Sequence, residues 1–120
     1  MGKTDITRIS FRSGLIGTLE QKSSCAEHML MGDKISADIK RIFNADKVWQ
    51  LSGKWGNPEW GEPIQYQWAL VELDNGKSYE FEVYNLVIMM YQSEEERVKR
   101  LFRFIVRVER YIKDREQGKT

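Results

Sequence analysis

Apolar and polar residues alternate on both sides of Asn75-Gly76, which predicts two antiparallel strands joined by a tight turn. Asn-Gly accepts the two positive φ angles of a type I′ turn, so we expect a two-residue loop at this dipeptide. In that register one face of the hairpin, taken as the buried face, carries Trp68, Leu70, Tyr79, Phe81 and Val83. The other face carries Ala69, Val71, Glu80 and Glu82.

Similar but shorter alternating patterns occur earlier in the chain. Residues 7–12 alternate, and Ser13-Gly14 offers a turn into residues 15–19, so we predict a first hairpin there. Residues 47–51 are expected to form a further short strand. The sheet would then have about five strands.

A helix is predicted between the first hairpin and the strand at residues 47–51. Ser24 and Glu27 have the spacing of a capping box, and apolar residues recur at helical intervals as far as residue 43. Because Gly32-Asp33 interrupts this pattern, a shorter helix capped by Asp33 is the alternative.

Residues 94–117 are predicted to form a long C-terminal helix, with Ser93 just before it and Glu96 in its first turn at capping-box spacing. Steps of three and four residues separate Val98, Leu101, Ile105, Val108 and Ile112. At about 100° per residue, the flanking apolar residues widen this stripe to roughly 220°, about twice what a surface helix needs. These flanking residues are Phe102, Phe104, Val106 and Tyr111.

The width of that arc leads to two alternatives for what covers the helix. We expect self-association through the C-terminal helix, most simply as a two-fold homodimer. Alternatively, the predicted first helix and the apolar segment 86–91 cover the surplus within one chain. The elements together predict one α+β domain over residues 1–120: a mainly antiparallel sheet of about five strands, one intervening helix and a long C-terminal helix packed on the sheet.

The polar side of the C-terminal helix is rich in arginine. It carries Arg100, Arg103, Arg107 and Arg110 together with Lys99. Arg103 and Arg107 are four residues apart and have no acid three or four residues away on their own helix. Two guanidinium groups side by side match the oxygens of a phosphate, which indicates an anionic ligand such as a nucleotide or a short nucleic-acid segment.

Charged residues outside this helix affect the prediction of an anion site. Alternatively, solvent screens the two arginines, or acids from another element, such as Glu80 and Glu82, pair with them. Arg8 and Arg12 lie on one face of the first strand, so they could join an anion site if the fold brings them near.

Large aromatic residues stand in and near a Gly- and Pro-rich stretch at residues 53–63. A near-repeat places Trp55 and Trp60 each before a Gly, with Pro three residues later. The indoles either cover a sheet edge and the neighbouring loop or anchor a partner. With an anionic ligand, Trp55, Trp60 or Tyr84 would stack on a base.

The composition excludes several classes of function. A single cysteine, Cys25, and a single histidine, His28, give neither a disulfide nor a zinc set, and their Cys-x-x-His spacing alone is a weak catalytic signal. We therefore predict no catalytic residues, no metal and no cofactor, and a cytoplasmic location. The net charge of +1 gives no global attraction for nucleic acid, and no apolar run is long enough to span a membrane.

Two functional hypotheses follow for a protein that is not an enzyme. The first is a self-associating protein that binds an anionic ligand through the arginine row. The second is an inhibitor or adaptor that binds a protein target and has no small ligand. In size and in its lack of catalytic motifs, the chain resembles in a general way small inhibitor or sequestering proteins, including those encoded by phages and mobile elements.

Overall fold

The computed structural model describes residues 5–116 and has an α+β fold. Five strands form one sheet: β1 (Ile6–Ile16), β2 (His28–Met31), β3 (Gly53–Gly56), β4 (Ile64–Leu73) and β5 (Ser78–Tyr84). The helices are α1 (Ala37–Ala45), α2 (Leu86–Gln92) and α3 (Glu96–Glu116). The strand order is β2-β1-β4-β5-β3, with β3 parallel to β5 and all other neighbours antiparallel. The predicted fold class is confirmed, including the long C-terminal helix; the expected end at residue 117 lies outside the described residues.

The main core lies between the three helices and one face of the sheet, which we call the inner face. This face contributes the fully buried Ile9, Phe11, Ala69, Val71, Phe81 and Val83. Helix α3 crosses all five strands over this face. Near its start, the guanidinium of Arg97 lies 5.3 Å from the ring centre of Trp55 on β3. Near its end, Glu116 Oε2 lies 3.5 Å from His28 Nδ1 on β2.

The hairpin of β4 and β5 forms as predicted, but its register was wrong by one residue. Ala69 faces Phe81 and Leu70 faces Glu80, so Trp68 and Leu70 lie on the opposite side from the core. The turn is a three-residue loop in which Leu73 O accepts from Gly76 N at 3.1 Å. Gly76 has a φ of +86°, whereas Asn75 is not in the left-handed region that a type I′ turn requires.

The predicted first hairpin is also wrong. Strand β1 continues through Ser13 and Gly14 to Ile16, because it pairs along its whole length with β4. The residues expected to open a helix at Ser24 instead form a 3-10 turn (Leu19–Ser24) followed by β2. Helix α1 begins later: Ser36 accepts a hydrogen bond from Ile39 N at 3.2 Å, so Asp33 is not the cap either.

The fifth strand lies later in the chain than predicted. Residues 47–51 include a 3-10 turn (Val48–Leu51), and the strand that completes the sheet is β3. Val48 and Leu51 are buried, which accounts for the apolar pattern that suggested a strand.

The wide apolar arc of α3 is accommodated within this one chain. Phe104 is fully buried, with its ring centre 5.6 Å from that of Phe43 and 6.0 Å from that of Phe81. The hydroxyl of Tyr111 donates to Lys34 O at 2.7 Å. Phe102 and Val106 remain partly exposed. Within residues 5–116, no helix is both long and apolar enough to cross a bilayer.

Candidate functional site

Both central arginines of the predicted row form ion pairs with acids of the same chain. Arg103 Nε lies 3.0 Å from Asp46 Oδ2, just after α1, and Arg107 Nε lies 2.6 Å from Asp38 Oδ2 on α1. Hydrogen bonds from Arg41 and, to a smaller extent, from Arg107 lower the pKa of Asp38, because both guanidinium groups stabilise the charged carboxylate. Glu80 and Glu82 are the alternative partners that the sequence suggested for Arg103 and Arg107. They lie on the face of the sheet away from α3. The arginine row therefore fastens α3 to α1.

The other two arginines of the row differ in their surroundings. Arg100 is held inward, where its Nη1 donates to Asp46 O at 2.9 Å. Arg110 is exposed and forms no ion pair among residues 5–116. We call the exposed side of α3 the α3 ridge; a shallow groove there is lined by Ile42, Phe102, Arg103, Val106, Arg107 and Arg110.

The arginines of β1 do not join this row. Arg8 and Arg12 pair in register with Glu72 and Trp68, whose side chains lie on the face of the sheet away from α3, which we call the outer face. Arg8 forms an ion pair with Glu72. Arg12 Nη2 lies 3.1 Å from Glu27 Oε1, and its guanidinium lies 5.6 Å from the ring centre of Trp68.

The three candidate stacking residues are also separated. Trp55 lies on β3, packs against the main core and donates from Nε1 to Leu51 O at 2.6 Å. Trp60 is 42% exposed in the following 3-10 turn. Tyr84 is buried, and burial is the main cause of its raised pKa. Of the three, Trp60 alone offers an open ring.

Sequence reasoning missed the outer face because it assigned the residues of β2 to a helix. On this face Met29 and Met31 of β2 are 53% and 50% exposed. Leu70 and Trp68 of β4 are partly exposed nearby. The buried residues of all three helices belong to the inner core, so no helix covers this surface within residues 5–116.

One end of the outer face is closed by the 3-10 turn at Leu19–Ser24 and the residue that follows it. A small second core forms there from Ile16, Ile64, Tyr66 and Tyr84, with Cys25 and Trp68 packed against it. Burial raises the pKa of Tyr66 to about 12. The cluster therefore provides a covered edge for the outer face.

The structure does not bring Cys25 and His28 together. Cys25 contributes to the second core on the outer face, whereas His28 pairs with Phe11 in register and reaches Glu116 on the inner side. The two are thus on opposite sides of the sheet. Over residues 5–116, no group of three or more His, Cys, Asp and Glu side chains is placed to hold a metal ion.

The chain was compared with family models, curated proteins and solved structures, and no significant match was found in any of the three.

Proposed function

We propose that this protein is a non-catalytic binding protein whose partner is another protein, and that it binds through the outer face. The observation that carries the proposal is the pair of half-exposed methionines on β2, on a sheet face that also carries Leu70 and Trp68 and has no helical layer within residues 5–116. Methionine is flexible and polarizable, so it suits contact surfaces that must adapt to a partner. A cytoplasmic location, consistent with one free cysteine, is part of the proposal.

A second copy of the chain is the simplest partner for this surface. The outer face carries both signs of charge: Arg8 and Arg12 lie on β1, Glu72 lies on β4 and Glu80 lies on β5. Under two-fold symmetry the same patch meets itself, so a mixed patch can place opposite charges together.

The α3 ridge, where self-association was expected from the sequence, is less suited to a two-fold interface. Its groove combines Phe102 and Val106 with three arginines and no acid. Arg103 and Arg107 have carboxylate partners in the same chain, but Arg110 has none within residues 5–116. A two-fold axis there would bring Arg110 of two chains close together, which costs free energy unless anions intervene. The outer face is therefore our preferred surface for a homodimer.

Sedimentation velocity at micromolar concentration tests this interface. We expect a dimer for the parent protein and a monomer for Met29→Glu/Met31→Glu, because two buried carboxylates without partners would oppose association. Both positions are about half exposed, so the variant should keep its cooperative unfolding. Val106→Glu, on the α3 ridge, is the matched control and should remain a dimer. A monomeric parent, or a dimer lost only in the control, would refute this assignment.

A second candidate function is the binding of an anionic ligand on the α3 ridge. Arg110 favours it, because this exposed cation lacks an ion pair within residues 5–116 and shares a groove with Phe102 and Val106. Arg103 and Arg107 flank it, and their present carboxylate partners could be exchanged for a phosphate. The apolar floor would contact the rest of the ligand.

Titration with ATP and with a short single-stranded oligonucleotide tests this candidate. Binding should raise the melting temperature and weaken as salt increases. Arg110→Ala should weaken binding about tenfold without loss of stability, since that side chain is exposed and a charge-assisted contact is worth about 1.5–3 kcal/mol. Lys99→Ala, an exposed cation on the same helix outside the groove, is the control. If neither compound shifts the melting temperature, the anion hypothesis is wrong.

A further inference from the structure

A polar cavity lies at one side of α3, between this helix and the ends of β1 and β4. Its walls include Ser13, Leu15, Gln65, Gln67, Glu109 and Lys113. At this end of the inner face, polar residues take the places that Phe11 and Ala69 hold in the main core. The cavity shares no lining residue with the α3 ridge groove.

The side chain of Gln67 at this cavity has an unused hydrogen-bond acceptor. Gln67 is only 1% exposed, and its Nε2 donates to Glu109 Oε1 at 3.0 Å. A carboxylate only accepts hydrogen bonds, so the amide nitrogen must face Glu109 and the amide oxygen must face elsewhere. Gln67 Oε1 is buried and has no donor within residues 5–116.

The other glutamine of β4 at this cavity has a donor for its side-chain oxygen. Gln65, two residues earlier on the same face, accepts a hydrogen bond at Oε1 from Val87 N at 3.1 Å. A buried acceptor without a donor is unfavourable and uncommon in folded proteins. Gln67 thus marks a place where an outside N–H or O–H group would be stabilised.

Lys113 is the most exposed of the charged side chains at this cavity. Lys113 also lines the cavity, its side chain is 63% exposed, and its Nζ is 3.8 Å from Glu109 Oε2. An exposed ion pair of this length contributes little, so the lysine side chain is free to change rotamer.

The charges and the apolar contact define the class of ligand. Glu109 and Lys113 cancel, which favours a ligand without net charge that carries both a donor and an acceptor. Leu15 is 70% exposed at the same cavity and would be covered by an apolar group. We propose that the cavity binds a zwitterionic amino acid with an apolar side chain. Its ammonium donates to Gln67 Oε1, and its carboxylate accepts from Lys113.

Titration of the full chain with L-leucine, followed by the backbone and Gln side-chain amide signals in NMR spectra, tests this site. L-Leucine is expected to shift the signals of Ser13, Gln67 and Lys113 with an affinity in the millimolar range or tighter. N-acetyl-L-leucine lacks the ammonium and L-leucinamide lacks the carboxylate, and each should bind about tenfold more weakly or not at all.

Two variants test the contacts of the ammonium end and of the carboxylate end of the ligand separately. Gln67→Met removes the acceptor with little change in volume, and Lys113→Met removes the cation at an exposed position where folding is not at risk. Each should lose about tenfold in affinity for L-leucine. Lys99→Met, about 21 Å earlier along the helix axis, is the control and should bind like the parent. Absence of any shift with L-leucine would mean that the cavity holds water only, and equal binding by Lys113→Met and the parent would also overturn the proposal.

Discussion

Replacing Phe104 with alanine should lower the free energy of unfolding by about 3–5 kcal/mol, as for other fully buried phenylalanines. The ring is fully buried and lies between Phe43 of α1 and Phe81 of β5. Its loss therefore leaves a cavity between α1, α3 and the sheet. Denaturant unfolding followed by tryptophan fluorescence measures the change.

Phe102→Ala is the matched control for this prediction. Phe102 lies on the same helix but is partly exposed, so its truncation should cost less than half as much. The loss of stability relative to the parent, measured at equal protein concentrations, should be the same at low and high concentration, because the rings that pack against Phe104 belong to its own chain. Equal losses for the two variants, or a loss relative to the parent that changes with protein concentration, would contradict the burial of Phe104 within its own chain.

The long C-terminal helix was predictable because its apolar period continues without a break from Val98 to Ile112. The register of the β4–β5 hairpin could not be predicted from the sequence. Asn75-Gly76 is compatible with a two-residue loop and with a three-residue loop that ends in a left-handed Gly76, and a shift of one residue exchanges the two faces. Both faces of β4 carry apolar residues, so the hydrophobic pattern did not decide between them.

The surroundings of the arginine row could not be predicted for a related reason. A helical wheel identifies partners three or four residues away, but Asp46 is 57 residues from Arg103 and Asp38 is 69 residues from Arg107. These pairs exist because α1 packs beside α3, and that placement depends on the whole sheet. The unused acceptor of Gln67 was likewise invisible in the sequence, since it depends on the position of Glu109 relative to β4.

Replacing Gly56 with alanine should also strongly destabilise the protein, by about 2–5 kcal/mol from left-handed strain and steric overlap together. Gly56 has a φ of +80°, and a Cβ atom there would lie 1.9 Å from Tyr84 O and 2.9 Å from Tyr84 C. Since those atoms belong to the backbone of β5, the clash cannot be relieved by a side-chain rotation. The parallel pairing of Gly56 with Tyr84 would have to open, and with it the end of β3 next to Trp55.

Gly76→Ala isolates the conformational part of this effect. Gly76 has a φ of +86°, similar to that of Gly56, but no atom lies within 4 Å of an added Cβ. Gly76→Ala should therefore lower the free energy of unfolding by only about 1–2 kcal/mol, the strain of a left-handed alanine. Denaturant unfolding of both variants gives the difference, and tryptophan fluorescence of the native state should change only for Gly56→Ala, because Trp55 is its neighbour. Similar losses would mean that β3 moves away from β5 at no cost, and the close approach of these two strands would then not contribute to stability.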